Sequence, residues 1–251
     1  MMRVSDQLMI PKGITAVVGG GGKTSLIWRL AAELSEHAKV LLTTTTHIRL
    51  PACPTLLSPN REQIVSAFRN TNLLAVGDIA QEQKLTAVQG LNDDYHGLAD
   101  YVLIEADGSR GLPLKAPAVH EPVLPAGAEL TVAVAGMGCL GKTIAEAAHR
   151  SALYAELVGA TETEFVTPEM VARVLVHPQG QKKGLRSRFA VVLNQTDTPE
   201  RLTFAREVAE KLMEETLIVA LQCKPEWAER WRCGKRPRMS RIERTGLNGR
   251  R

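Results

Sequence analysis

Several things are missing from this 251-residue chain, and each absence narrows the field. No apolar run is long enough to cross a bilayer and residues 1–12 carry no leader-like apolar stretch, so a cytoplasmic protein without a membrane partner is expected. The four cysteines, Cys53, Cys139, Cys223 and Cys233, form no C-x-x-C pair, so neither a zinc site nor a disulfide framework is indicated. No internal repeat or low-complexity segment occurs. A general basic surface is absent as well, although the formal net charge is +4. From Lys224 onward there are ten Lys/Arg against three Asp/Glu, a net of about +7 that leaves about −3 for the rest of the chain. The positive charge is therefore a feature of one end. Pro237, Gly246 and Gly249 within it suggest an irregular tail that is solvated or touches an anionic partner; nucleic acid is not expected as a partner.

What is present is a long alternation of strand-like and helix-like patterns, enough chain to bury a core without staples. Alternation of this kind predicts an α/β fold, a mostly parallel sheet covered by helices on both faces in three layers. One domain over residues 1–223 and a basic, flexible tail over residues 224–251 are expected.

The stretch at residues 14–25 organises the rest. A β-branched run leads into Gly19-Gly20-Gly21-Gly22-Lys23-Thr24-Ser25, after which Leu26, Ile27, Leu30, Ala31 and Leu34 recur at helical spacing. Each glycine costs about 0.5–1 kcal/mol of conformational freedom relative to alanine, so four in a row need a reason in the folded state. Backbone approach to an anion at a helix N-terminus supplies one, with Lys23 for the outer phosphates and Thr24 for a magnesium ion. The loop departs from G-x-x-x-x-G-K-[ST], because Val17 stands where the first glycine belongs. A tight strand-to-helix turn without a ligand is the alternative.

A second stretch, residues 101–109, reads as a buried strand delivering Glu105 and Asp107 to its carboxyl end, followed by Gly108. Either acid suits a magnesium shell or the orientation of an attacking water, and Gly108 lets a backbone N–H approach a terminal phosphate. Surface acids at a strand exit are the plainer reading. Residues 39–44 form a further expected strand ending in the threonines before His47, whose hydroxyls face either ligand or sheet. Residues 110–125 are a proline-punctuated loop carrying Arg110, Lys115 and Glu121, a candidate substrate or switch loop or a structural wrap.

Gly136-Met137-Gly138-Cys139-Leu140-Gly141-Lys142-Thr143 fits the phosphate-loop pattern better than the first loop does, and a helix is expected over residues 144–157. Two cradles in one domain are redundant. The four-glycine loop allows the closer backbone approach and is taken as the site, with Lys142 as the competitor. Further on, a strand over residues 189–193 ends in Asn194-Gln195-Thr196-Asp197, which resembles the N-K-x-D element that holds guanine in GTPases, with Gln195 in place of the lysine. A carboxylate accepts from guanine N1–H and N2–H, whereas adenine offers an acceptor at N1. An ordinary Asn/Asp turn is the alternative.

Together, the short Gly19–Thr24 loop, Glu105-Ala106-Asp107-Gly108, the segment from Leu114-Lys115-Ala116-Pro117 to Glu121-Pro122, and Asn194 to Asp197 resemble the YqeC family over residues 14–221. Its members are described as accessory or selenium cofactor biosynthesis proteins for selenium-dependent molybdenum hydroxylases. Glu105-x-x-Gly108 is also similar to an element of GTPases that deliver metals to other enzymes. The resemblance implies a P-loop NTPase-like fold and a magnesium-dependent nucleoside triphosphatase, GTP favoured over ATP, with a client protein as partner. Lys23, Glu105 and Asp107 would act in catalysis. Gly19 to Ser25, Gly108, Asn194 and Asp197 would bind nucleotide, with Thr24, Glu105 and Asp107 at the metal. A small-molecule kinase or ligase using Arg110 and Lys115, and a nucleotide-dependent binding module, are the alternatives.

Overall fold

The computed structural model describes residues 3–80, 84–91, 94–221, 227–231 and 239–241. A short helix α1 (Val4–Gln7) precedes the first strand β1 (Gly13–Gly19), which is buried along almost its whole length because both of its faces are covered. The chain then forms α2 (Lys23–Leu34), β2 (Val40–Thr44), β3 (Ile48–Arg49), β4 (Thr55–Leu57), α3 (Arg61–Ala67), β5 (Leu73–Ile79) and β6 (Lys84–Thr86). Next come β7 (Tyr101–Glu105), β8 (Leu114–Lys115), β9 (Ala128–Gly136), α4 (Ile144–Ala147), β10 (Ala148–His149), α5 (Ser151–Val158) and α6 (Pro168–Val176). The remainder is β11 (Arg188–Asn194), α7 (Pro199–Glu210), β12 (Glu215–Ala220), β13 (Trp227–Trp231) and β14 (Met239–Arg241).

Strands β12, β11, β9, β1, β7, β2, β5 and β4 lie side by side in that order and pair in parallel. Antiparallel strands close both edges: β6 and β3 at one, β13 and β14 at the other. The last two fall inside the stretch expected to be an irregular basic tail, and what remains of that stretch lies outside the described residues.

Period-2 alternation sends Ile14, Ala16 and Val18 of β1 to one face and Val17 to the other. On the first face α5, α6 and α7 cover one half of the sheet and α3 the other, while α1 and α2 cover the second face. The expected α/β architecture, mostly parallel with helices on both sides, is what the chain adopts. Leu26, Ile27 and Leu30 hold α2 on the sheet, each such burial being worth about 1.5–3 kcal/mol. Thr167 and Thr198 cap α6 and α7, with proline in the first turn of each.

One expected helix is broken. Residues 144–157 divide into α4 and α5, because Ala148 and His149 become extended and pair in parallel with Leu114 and Lys115, and Arg150 turns left-handed at φ 62°. That pairing pulls the proline-rich loop against the body of the protein.

The topology places the site. After β1 the chain crosses to β2 and leaves a gap that β7 later fills, while β9 takes the other side of β1. The carboxyl ends of β1, β7 and β9 thus meet where the chain reverses its direction of travel across the sheet, the position at which open α/β sheets leave a crevice.

Candidate functional site

Between the end of β1 and the start of α2 only three residues make the turn, and glycine is needed for two reasons. Gly19, Gly21 and Gly22 have φ of +97°, +74° and +114°. A Cβ on Gly19 would stand 2.2 Å from Val134 O, one on Gly21 2.2 Å from Gly136 N, and one on Gly20 2.8 Å from Leu112 O. The amides are committed as well: Gly19 N–H donates to Asp107 Oδ2 (3.0 Å), Gly20 N–H to Val134 O (2.8 Å) and Gly21 N–H to Leu112 O (3.0 Å). The expectation that the glycines turn their amides toward an anion is thus corrected for these three, which are spent on neighbouring backbone and a carboxylate. What faces outward is the first turn of the helix. The first intrahelical bond is Leu26 N–H to Gly22 O (3.0 Å), so the amides of Gly22, Lys23 and Thr24 precede the ladder.

A buried ionic cluster lies directly beneath. Lys23, 3% exposed, donates to Gly19 O (2.7 Å) and sits 3.1 Å from Asp107 Oδ1 and 3.7 Å from Glu105 Oε1. The Asp107 contact is a charge pair without hydrogen-bond alignment, since Oδ1 accepts no well-directed bond. Lys115 lies on the far side of Asp107, 3.1 Å from Oδ2 and 2.9 Å from Glu121 Oε2, and donates to Gly108 O (2.6 Å). Arg150 then pairs with Glu121. Charges alternate along one line, Lys23–Asp107–Lys115–Glu121–Arg150. This arrangement makes burial tolerable, because an isolated ion would lose several kcal/mol of hydration.

Thr24 is exposed, and its hydroxyl donates to Glu105 Oε2 (2.9 Å). Glu105 itself is buried, and loss of hydration pushes its pKa up; Lys23 and the Thr24 hydroxyl oppose the shift, and neighbouring Asp107 adds to it. The two acids therefore have different surroundings. Asp107 is the shared counter-ion of two lysines and an amide, whereas Glu105 keeps a carboxylate beside an exposed hydroxyl. Asp107, expected at the metal shell alongside Glu105, is already enclosed by cations. Of the threonines on β2, Thr44 spends its hydroxyl on Glu105 O (2.8 Å), fixing the backbone that carries the acid. Gly108 follows with open space around it; a methyl added there would have Thr46 Oγ1, at 3.6 Å, as its nearest neighbour.

The second G-x-x-x-x-G-K-T match does not open a long helix. Residues Met137–Cys139 form a turn of 3₁₀ helix, and Thr143 caps α4, a helix of four residues, in a reciprocal box with Glu146. Lys142 is exposed. This turn instead forms one wall of an open cavity of about 510 Å³, shared with Pro113, Gln195, Asp197 and Arg201. Asn194 lies beneath the glycine turn, buried, its amide donating to Gly21 O (2.9 Å) and its carbonyl accepting from Leu221 N–H (3.3 Å). Its task in this structure is to hold the turn. Asp197 faces the cavity and pairs with Arg201 (2.9 Å).

Of the three residues expected to form a substrate loop, only Arg110 is exposed. Lys115 is enclosed by three oxygens, so the expectation that it grips a free anionic substrate gives way to a structural role. Two contributors were not foreseen. Arg150 and His149 were hidden in an apparent helix, and only the pairing of β10 with β8, a long-range event, brings them to Glu121.

Residues 15–152 match the model of the family described as YqeC protein. The chain is 34% identical over 182 residues to the "Uncharacterized protein YqeC" of Escherichia coli (strain K12), an alignment covering 68% of this chain and 71% of that protein. No solved structure matches. The chain belongs to the YqeC family.

Proposed function

We propose that this YqeC-family protein binds and hydrolyses a nucleoside triphosphate, with the phosphates at the first turn of α2 and the base in the cavity beside Asp197. The observation that carries the reading is the opening of α2: Lys23 and Thr24 begin a twelve-residue helix at the carboxyl edge of the sheet, with Glu105 bonded to Thr24 at 2.9 Å. Helix amides and dipole favour an anion there. Lys23 must exchange Gly19 O and its carboxylates for phosphate oxygens, and the Lys115 ammonium stays behind to keep Asp107 paired when it does. The ionic line thus limits the cost of releasing the P-loop lysine.

Among the described residues no group of three or more His, Cys, Asp or Glu is arranged to hold a metal. The oxygen donors Thr24 and Glu105 nevertheless suit magnesium, a hard cation that keeps several waters and takes one or two carboxylates plus phosphate oxygens. Bound there, magnesium would neutralise charge developing on the transferred phosphoryl group. Lys23 and the α2 amides orient the phosphate chain and face the same charge, and Asp107 holds the lysine in place until the phosphates arrive.

Asp197 Oδ2 is held by Arg201, and Oδ1 remains to accept from guanine, which favours GTP over ATP. The cellular part of the proposal, help in maturing a selenium-dependent molybdenum hydroxylase, rests on the motif resemblance alone. No helix of the described residues is long and apolar enough to cross a membrane.

Equilibrium binding of GTP with magnesium, followed by phosphate release with and without a molybdenum hydroxylase apoprotein, tests the reading. Slow release that the apoprotein stimulates is the expected result. Absence of nucleotide binding at millimolar concentration overturns it.

A further inference from the structure

A second opening, larger than the Asp197 cavity at about 700 Å³, has walls that include Thr46, His47, Arg110, Glu121, His149 and Arg150. It has the size of a small-molecule pocket. Arg110 and Arg150 bring two guanidinium groups to a wall on which Glu121 is the carboxylate among the described residues. That carboxylate, Glu121, is already flanked by Lys115 and Arg150, which leaves the interior electropositive. Burial lowers the His149 pKa, and Arg150, Lys115 and Arg110 lower it further, so its imidazole registers this surplus of positive charge.

The backbone adds a second observation. Of the five non-glycine residues with positive φ among the described residues, two are the arginines of this cleft, Arg110 at 51° and Arg150 at 62°. Bulky side chains are uncommon in the left-handed region, and backbone strain gathers at ligand clamps. Each turn delivers a guanidinium to the same space from a different part of the chain, one after β7 and one after β10. A guanidinium matches a carboxylate or phosphate with two parallel N–H donors.

We infer that this cleft binds a small organic anion bearing a phosphate or carboxylate group, gripped by Arg110 and Arg150 with His149 beside it. The cleft shares Gly108 with the strand end at the proposed nucleotide site, and binding in it does not depend on nucleotide. It adjoins the same ionic line, since Arg150 and Glu121 are its outer end.

Nuclear magnetic resonance of the full chain tests the assignment. The His149 imidazole signal is identified by its loss in His149→Gln and followed while inorganic phosphate or succinate is added in separate titrations. A saturable shift with at least one anion is expected, and the tighter of the two identifies the head group. Arg110 is exposed, so Arg110→Ala should fold normally and weaken the binding about tenfold, the scale of one lost charge-assisted contact, with Arg110→Glu weakening it further. Lys142→Ala, an exposed lysine outside the ionic line, should leave it within about twofold. The inference is overturned if neither anion gives a saturable shift, or if Arg110→Ala and Arg110→Glu bind as tightly as the parent. It is also overturned if Lys142→Ala abolishes the effect in a chain whose spectrum stays dispersed, which would put the anion in the cavity beside Asp197.

Discussion

Two glycine–lysine–threonine turns stand next to each other in this protein, at the ends of the adjacent strands β1 and β9, and they differ in everything except sequence pattern. After Gly19 the chain enters a twelve-residue helix whose lysine is buried between two acids. After Gly136 it makes one 3₁₀ turn and a helix of four residues, and its lysine is exposed. The better match to the motif has the shorter helix and the exposed lysine. A phosphate site needs an oriented helix long enough to gather its dipole and a lysine with a counter-ion to hold it in wait, and neither is encoded in eight consecutive letters.

The largest effect that would sharpen this contrast is steric. Gly21→Ala places a methyl 2.2 Å from the backbone nitrogen of Gly136 in a left-handed position, and backbone on both sides cannot yield. Gly141→Ala is also left-handed, at φ +75°, but meets open space. Urea unfolding should show a loss of about 3 kcal/mol or more for the first and about 1 kcal/mol for the second. Equal losses would mean that the two turns are packed alike.

Binding comes next. Lys23→Ala should weaken magnesium–GTP about 10- to 100-fold, the value of a charge-assisted contact of roughly 1.5–3 kcal/mol, while Lys142→Ala retains most of the affinity. Fluorescent-nucleotide titration of both variants measures it, and the reverse ranking would transfer the site to the second loop.

The acids beside the two turns should respond to pH with opposite signs. Burial raises the Glu105 pKa above its ordinary 4.5, so the folded chain favours the protonated form. The stability it contributes is complete below pH 4.5 and is lost as the pH rises through the raised value. Glu146, held by the Thr143 N–H and hydroxyl, is lowered from 4.5; its contribution is present above 4.5 and is lost as the pH falls through the lowered value. Glu105→Gln should therefore flatten the decline on the alkaline side of 4.5, and Glu146→Gln the decline on the acid side. Stability–pH curves of the two variants with the same slope change would break the comparison.

The smallest effect concerns the base. Asp197 is exposed and shares its charge with Arg201, so GTP should bind better than ATP by only about 1 kcal/mol, roughly fivefold. Asp197→Asn should weaken GTP and improve xanthosine triphosphate, because an amide donates where the carboxylate accepts. Competition binding that finds the same preference in parent and variant would reduce residues 194–197 to a turn.

Local chemistry explains which features were readable in advance. The β-branched run before Gly19 and the helical spacing of Leu26, Ile27 and Leu30 depend on neighbours within a few residues, and they appear in the fold as the pattern implies. The acids at residues 105 and 107 were likewise placed at a strand end by the apolar run before them. Which acid does what was not legible, because that depends on Lys115 approaching from eight residues beyond Asp107 through a backbone pairing with residues 148–149.

The sequence by itself therefore determined the layers and the carboxyl-edge position of Lys23, Thr24, Glu105 and Asp107, consequences of periodicity and local turn chemistry. Tertiary structure alone decided that the glycines pack against Val134, Leu112 and Gly136, that Asn194 supports the turn from below, and that Arg110 and Arg150 face one cleft. Those outcomes arise from contacts between segments far apart in the chain, whose closeness is set by sheet order and burial rather than by any local preference of the residues involved.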